Sequence, residues 1–460
     1  MMFRGKVRVI HFVGIGGIGM SGIAEVLLTL GFEIHGSDLR AGASVKRLRK
    51  LGALIHIGHD ASNLADADVV VRSTAVGVDN AEIKGALDRG IPVIRRAEML
   101  AELMRLKHGL AVAGTHGKTT TTSMLAACLA AGDLDPTVVI GGRFDHLGGS
   151  NARLGAGEYM VAEADESDGS FLLLNPTATI ITNIDPEHLD HYGTVEALEE
   201  SFVEFANAVP FYGFSALCLD HPRVQKLMTR VRRRVVTYGF ARQADYRSSQ
   251  PTYDGLATRF TVYSGDDELG PITLAMPGQH NVSNATGAIA TAMELNIPFH
   301  KIQKALHGFS GVQRRFTVVG QKAGVTVIDD YGHHPVEIQA TLEAAESAFP
   351  QRKVIAVFQP HRYSRIQDLW ADFCGAFNRA AEVVVCPVYA AGEKPIEGVN
   401  HERIAHEMRE RGHRGTKAVA DLDEAVKHLV ETASDGDVII ALGAGNVNTI
   451  CARVLEGIGN

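Results

Sequence analysis

The sequence predicts an α/β protein of three domains, and three observations carry that prediction. The chain has 460 residues, about three domains' worth at roughly 150 residues each. Short apolar runs of strand character alternate with helical stretches in three successive cycles, which is the pattern of mostly parallel sheets covered by helices. Glycine, 48 residues in all, recurs where strands turn into helices and suits tight turns.

The first cycle, residues 1–107, reads as a Rossmann-like domain. It opens with a strand over 7–13, a glycine-rich turn and an apolar helix over 18–30. Strands follow at 32–36, 53–57, 69–71 and 93–94, with a Lys- and Arg-rich helix from Ser44. The second cycle, 108–320, has a strand over 110–113, a glycine loop and a helix over 119–131, as in a P-loop-type ATPase domain. Its further strands are expected at 138–140, 159–162 and 179–182. Between 232 and 273 short alternating runs such as Arg259-Phe260-Thr261-Val262-Tyr263 predict an antiparallel edge or a small extra sheet, followed by a helix over 281–295. The third cycle, 321–460, is Rossmann-like again, with strands at 325–328, 354–357, 383–385 and 438–441.

Composition removes several classes of function. The net charge of −8 offers no basic excess to neutralise a phosphate polymer, so no nucleic-acid partner is expected. Five scattered cysteines without a CxxC pair give neither a disulfide framework nor a zinc site, which fits a cytoplasmic protein. Arg4 and Lys6 precede an apolar stretch, but His11, Ser21, Glu25 and the glycines make it strand, turn and helix rather than a signal peptide. No uninterrupted run of 18 apolar residues occurs, so no membrane partner is expected.

Two glycine loops carry the chemistry. Gly14-Ile15-Gly16-Gly17-Ile18-Gly19 follows a strand and opens a helix, as G-x-G-x-x-G requires. Its amides and the helix N-terminus suit a diphosphate, and Asp38 lies where an acid would meet a ribose. The alternative is a glycine-rich turn of any α/β protein. Gly114-Thr115-His116-Gly117-Lys118-Thr119 is two residues shorter than the standard P-loop but has the same parts: amides and Lys118 for terminal phosphates, and a Thr119 hydroxyl for Mg²⁺. Four consecutive threonines, Thr119 to Thr122, propagate a helix poorly, which points to a polar role for Thr119 and Thr120. Both loops in one chain suggest a nucleotide-linked substrate and a separate ATP. Two acidic clusters follow successive strands, Glu163 to Asp168 and Asn183 to His191. Solvated loops are one reading, and hard oxygen ligands for Mg²⁺ are the other.

Beyond these loops, the sequence resembles the Mur ligases, the ATP-dependent amide-forming enzymes of peptidoglycan synthesis. The matching stretches are His11–Ser21, Ala113–Thr122, Glu163–Phe171, Asn183–Tyr192, His280–Asn284, Asp329–Pro335, Gln359–Arg365 and Leu442–Asn446. The runs Asp330-Tyr331-Gly332-His333-His334-Pro335 and Gln359-Pro360-His361-Arg362-Tyr363-Ser364-Arg365 are similar to those of the alanine-adding branch. Several Mur ligases carry a carbamylated lysine soon after the metal histidine. Here no lysine occurs between His188 and Lys226, as in that branch.

The resemblance implies a reaction: ATP activates the lactyl carboxylate of UDP-N-acetylmuramate as an acyl phosphate, and L-alanine displaces phosphate. It implies Mg²⁺, with Mn²⁺ as a substitute, and a monomer or weak homodimer. The UDP-linked substrate would lie on Gly14, Gly16, Gly17, Ile18, Gly19, Met20 and Ser21, with Ser37 and Asp38 near the uridine and Ser73, Thr74 and Ala75 near the diphosphate or sugar. Gly114, Thr115, His116, Gly117, Lys118, Thr119 and Thr120 would hold the ATP phosphates. Thr119, Glu163 and His188 would hold metal, and His280, Asn281 and Asn284 would flank adenine. Arg315 would reach the γ-phosphate and Asp330 the ATP ribose. Tyr331, His333, Arg362 and Arg365 would surround L-alanine, with His333 or His188 as candidate base. Closure of the last domain about a hinge near Val319–Gly324 is expected, because acyl phosphates hydrolyse. The alternatives are a ligase that recycles a whole tripeptide and, from another class, an NAD-dependent oxidoreductase.

Overall fold

The computed structural model describes residues 7–144 and 150–459. It is mixed α/β with three sheets, one in each of three domains. The first sheet is wholly parallel, in the order Leu54–Ile57, Glu33–Asp38, Val9–Val13, Val69–Arg72, Val93–Arg95. The chain leaves the central strand in one direction and returns on the other side of it. The carboxyl ends of Val9–Val13 and Val69–Arg72 therefore flank a topological switch point, where α/β sheets bind ligands.

The second sheet sets His108–Ala113 between Ala178–Ile181 and Tyr159–Glu163, all parallel. Thr137–Phe144 extends it on one side, and Phe214–Cys218, Arg234–Gly239 and Tyr246–Ser248 on the other. Phe214–Cys218 was not expected from the sequence. It is buried throughout, and a parallel strand covered on both faces shows no alternation to read. Of the two forms expected for 232–273 the structure has the antiparallel edge, since Ala257–Ser264 pairs antiparallel with Tyr246–Ser248 and extends the same sheet.

One apolar cluster joins the first two sheets. Ile23, Ala24 and Leu27 of the helix Ile18–Thr29 belong to it together with Ala152, Met160 and Ala162. Gly22 permits the approach, since a Cβ there would lie 2.9 Å from Asn151 Nδ2 and 3.1 Å from the Ala152 Cβ. The chain accordingly forms two compact units. The first comprises both sheets up to Ser249 with 261–272 and 283–309; the second comprises 250–260, 273–282 and 310–460. Three segments expected in the central domain, 250–260, 273–282 and 310–320, thus belong to the second unit. Leu256 packs on that unit's core, and Thr258 Oγ1 donates to the Met276 carbonyl.

The third sheet runs Thr317–Lys322, Val325–Asp330, Val438–Leu442, Val354–Phe358, Glu382–Val385, Thr416–Ala418. Only its first strand is antiparallel. The hinge expected over 319–324 is instead a β-hairpin. Its turn residues Ala323 and Gly324 sit at φ 47° and 75°, and the ladder bonds on either side hold the segment in the sheet. The expected boundary at 320/321 falls inside that first strand.

Candidate functional site

The first loop is assembled from backbone. Gly14 and Ile15 donate their amides to the Ser37 carbonyl at 2.9 and 3.0 Å, and Gly16 donates to Asp38 Oδ2 at 2.8 Å. Gly14 adopts φ 82°, and a Cβ there would stand 3.1 Å from that of Ser73. At Gly16 a Cβ would stand 2.7 Å from Asp38 Oδ2. Gly17 starts the helix with no side-chain cap, which leaves its first amides facing the crevice. Ser73, Thr74 and Ala75 follow the neighbouring strand, with Thr74 and Ala75 exposed. Met20 and Ser21 are buried behind the loop. The side chain of Ile18 lies outside the described residues.

Two residues expected beside the uridine also brace the loop. Asp38 spends one oxygen on the Gly16 amide and the other on the Arg40 amide at 3.1 Å. Ser37 is fully buried, and its Oγ donates to Glu82 Oε2 at 2.5 Å. Glu82, fully buried, also accepts from Asn63 Nδ2 at 2.6 Å and the Asp60 amide at 3.2 Å, and stands 3.2 Å from His11 Nε2. Burial alone would raise its pKa, but the contacts with His11, Ser37 and Asn63 hold it at about 2. This brace was not foreseen: a lone Glu in the first turn of a helix has no sequence signature.

The second loop sits at the end of the central strand of its sheet. Gly114 (φ 133°) has no room for a side chain, since a Cβ would meet Thr182 Oγ1 at 2.1 Å; at Gly117 (φ 83°) it would meet Asn284 Oδ1 at 2.4 Å. The 182–185 loop holds the turn in shape. The His116 amide donates to Asn183 Oδ1 at 2.7 Å, and the Asp185 amide to Thr115 Oγ1 at 2.8 Å. Asp185 also sits 3.3 Å from His116 Nε2 and 3.5 Å from His221 Nε2; burial opposes its charge, and the two histidines hold its carboxyl far below the usual range.

Lys118 Nζ donates to the carbonyls of Gly114 and Thr115 at 2.6 and 3.1 Å and to Glu166 Oε1 at 2.9 Å. Burial disfavours its charge, but Glu166, Asp165 and Glu163 outweigh burial and raise its pKa. Glu166 itself is pushed up to about 7 by burial, which the Lys118 charge only partly offsets. The sequence placed Glu166 in an acidic cluster without a role. Thr119 Oγ1 lies 3.1 and 3.0 Å from the two oxygens of Glu163. These converging hard oxygens fit Mg²⁺. Thr120 is buried. His188, at φ 57°, turns its Nε2 to within 3.5 Å of Glu187.

The first loop opens on a cavity of about 290 Å³ that reaches the acidic cluster after Tyr159–Glu163. Gly17, Gly19, Met20, Ser73 and Thr74 line one side; Glu163 and Asp165 line the other, with Arg96 between them.

In the second unit, His280 is packed against Gly278, and burial, aided by the Arg315 charge, lowers its pKa to about 4. Asn281 donates its side-chain amide to the Pro277 carbonyl at 2.7 Å. Arg315 lies 3.4 Å from Glu337 and, with Arg314, over the Tyr331 ring. Asp330, expected at the ATP ribose, is a buried brace: its oxygens accept from the amides of Phe316 and Gly332, both at 2.7 Å, and from Thr341 at 3.2 Å. His333 Nδ1 lies 3.1 Å from the Tyr331 carbonyl. A carbonyl only accepts, so in this contact Nδ1 carries the proton. His361, unassigned by the sequence, adjoins His333 at 5.9 Å and stacks on Tyr389 at 5.5 Å. Arg365 Nη1 lies 3.3 Å from His361 Nδ1, and Arg362 begins the next helix at φ 67°.

Fold and site together define a nucleotide-dependent α/β ligase. Family models for the Mur ligase catalytic domain, the Mur ligase middle domain and the Mur ligase glutamate ligase domain match residues 9–108, 112–292 and 314–445, and the chain belongs to the Mur ligase family. It is 55% identical to the UDP-N-acetylmuramate–L-alanine ligase of Sorangium cellulosum (strain So ce56), over 99% of this chain and 97% of that protein. The crystal structure of the UDP-N-acetylmuramate–alanine ligase of Thermotoga maritima superposes with a TM-score of 0.83 at 32% identity, covering 97% of this chain and 98% of that one. A murein peptide ligase from Psychrobacter arcticus superposes at 0.72 with 25% identity, covering 98% and 99%. Among the described residues no helix is long and apolar enough to cross a membrane.

Proposed function

We propose that this chain is the ATP-dependent ligase that joins the lactyl carboxylate of UDP-N-acetylmuramate to L-alanine, in the synthesis of peptidoglycan precursors. The observation that carries the reading is the cavity lined by Gly17 and Gly19 of the first loop and by Glu163, whose carboxylate meets Thr119 Oγ1 of the second loop. A carboxylate is a poor electrophile. Phosphorylation by ATP gives it a leaving group, the amine of alanine attacks the acyl carbon, and phosphate departs.

In this reading residues 1–107 hold the UDP-linked substrate, 108 onward ATP, and the last domain, beginning at the Thr317–Lys322 strand, the amino acid. Lys118 offsets charge on the transferred phosphoryl group. Thr119, Glu163 and His188 would hold Mg²⁺, which would neutralise charge on the phosphates. His333 Nε2 accepts the proton that the alanine ammonium must lose. Arg362 and Arg365 grip the alanine carboxylate as charge-assisted forks. The protein acts in the cytoplasm as a monomer or weak homodimer. An oxidoreductase reading leaves Lys118, Thr119 and Glu163 without work.

Phosphate release with UDP-N-acetylmuramate, ATP, Mg²⁺ and a panel of amino acids tests this. Alanine supports the fastest release, with serine and glycine weaker, since a methyl group or hydroxyl discriminates by only about 1–3 kcal/mol. Faster release with the tripeptide than with alanine would assign the chain to recycling instead.

A further inference from the structure

Arg96 opens the helix Arg96–Met104, whose start is fixed by Glu98 accepting the Arg95 amide at 2.5 Å. Its side chain is only 20% exposed and runs over the first glycine loop. A Cβ on Gly19 would stand 3.0 Å from Arg96 Cδ, 3.3 Å from Nη1 and 3.4 Å from Nε. Gly19 therefore leaves the slot in which this guanidinium lies. Beyond the loop, Nη2 reaches to 3.6 Å from Asp165 Oδ2, an ion pair looser than a hydrogen bond. Among the described residues Arg96 is the one cation lining the cavity, together with two carboxylates, Glu163 and Asp165.

That imbalance has a consequence for an anionic ligand. A group carrying negative charge into this cavity meets two acids, and among the described lining residues only Arg96 compensates them. A guanidinium also presents a planar fork that matches phosphate and carboxylate geometry, which a lysine does not. We infer that Arg96 is a substrate-binding residue whose guanidinium exchanges its loose contact with Asp165 for an anionic group of the UDP-linked substrate. This rests on the function proposed above. The anion is the diphosphate or the lactyl carboxylate of the same molecule, and the chemistry of the grip is common to both.

Calorimetric titration of the full chain with UDP-N-acetylmuramate, UDP-N-acetylglucosamine, UDP and ADP tests the assignment, on wild type, Arg96→Met and Arg96→Lys. Loss of a charge-assisted fork predicts about tenfold or greater weakening of UDP-N-acetylmuramate in Arg96→Met, with Arg96→Lys intermediate. ADP affinity should be unchanged, which shows that the variant is folded. Equal weakening of all three UDP ligands places the grip on the diphosphate, whereas weakening of UDP-N-acetylmuramate alone places it on the carboxylate. Binding in Arg96→Met within twofold of wild type, with ADP binding intact, overturns the inference and leaves the ligase reading standing. A wild type that binds none of the UDP ligands overturns both.

Discussion

Glu82 and Glu166 are both buried glutamates beside a glycine loop, and their carboxyl groups are shifted in opposite directions. Glu82 is ringed by donors, the Ser37 hydroxyl, Asn63 Nδ2 and the Asp60 amide, with His11 beside it, and is held at about 2. Glu166 has the Lys118 ammonium on one oxygen, no partner for the other among the described residues, and Asp165 nearby, and rises to about 7. A carboxylate whose lone pairs are satisfied is a brace, and the loop it supports binds through fixed backbone amides. A carboxylate left short of partners marks a place where charge rearranges. In the proposed function the first loop is thus a passive anion cradle, and the second an ion-paired lysine ready to exchange its partner for phosphate.

Lys118→Ala tests the active side of this contrast with the largest effect. Turnover should fall by about a thousandfold or more, while calorimetry finds UDP-N-acetylmuramate affinity preserved; full activity would refute the role of the second loop. Glu82→Gln tests the passive side through stability. Unfolded, Glu82 titrates near 4.5; folded, near 2. Its contribution, on the order of 3 kcal/mol, is complete above pH 4.5 and lost as pH falls toward 2. Denaturant titrations should show that acid-side slope in wild type and its loss in the variant. Gly16→Ala drives a Cβ toward Asp38 and should raise KM for the UDP-linked substrate about tenfold without changing KM for ATP. Glu166→Gln is the subtlest change. Folded Glu166 keeps its proton to about pH 7 while the unfolded side chain loses it near 4.5, so native stability declines as pH rises across that window, and the variant should lack this decline.

The fold was legible where periodicity and glycine coincide. The strands Val9–Val13, His108–Ala113 and Val438–Leu442 and the loops after the first two follow from apolar runs ending in glycine. Phe214–Cys218 escaped because a strand buried on both faces has no period. The Thr317–Lys322 hairpin escaped because its exposed polar and apolar residues read as a linker. The site was legible where chemistry is local in sequence, as in Gly-Lys-Thr and the Glu163 cluster. Glu82, Arg96 and Tyr389 act through partners distant in the chain, and nothing in their immediate neighbours announces it. Asp38 and Asp330 were correctly placed at strand ends, but both carboxylates face the protein's own amides, a direction that residue type does not encode.

The central claim is that the two cradles serve one reaction, with phosphate passing from ATP to the carboxylate held between them. UDP-N-acetylmuramate labelled with ¹⁸O in its lactyl carboxylate, turned over with ATP and L-alanine, measures this directly. The account predicts one labelled oxygen in each phosphate released, detected by mass spectrometry or by the ³¹P isotope shift. Unlabelled phosphate formed alongside the amide product would contradict it.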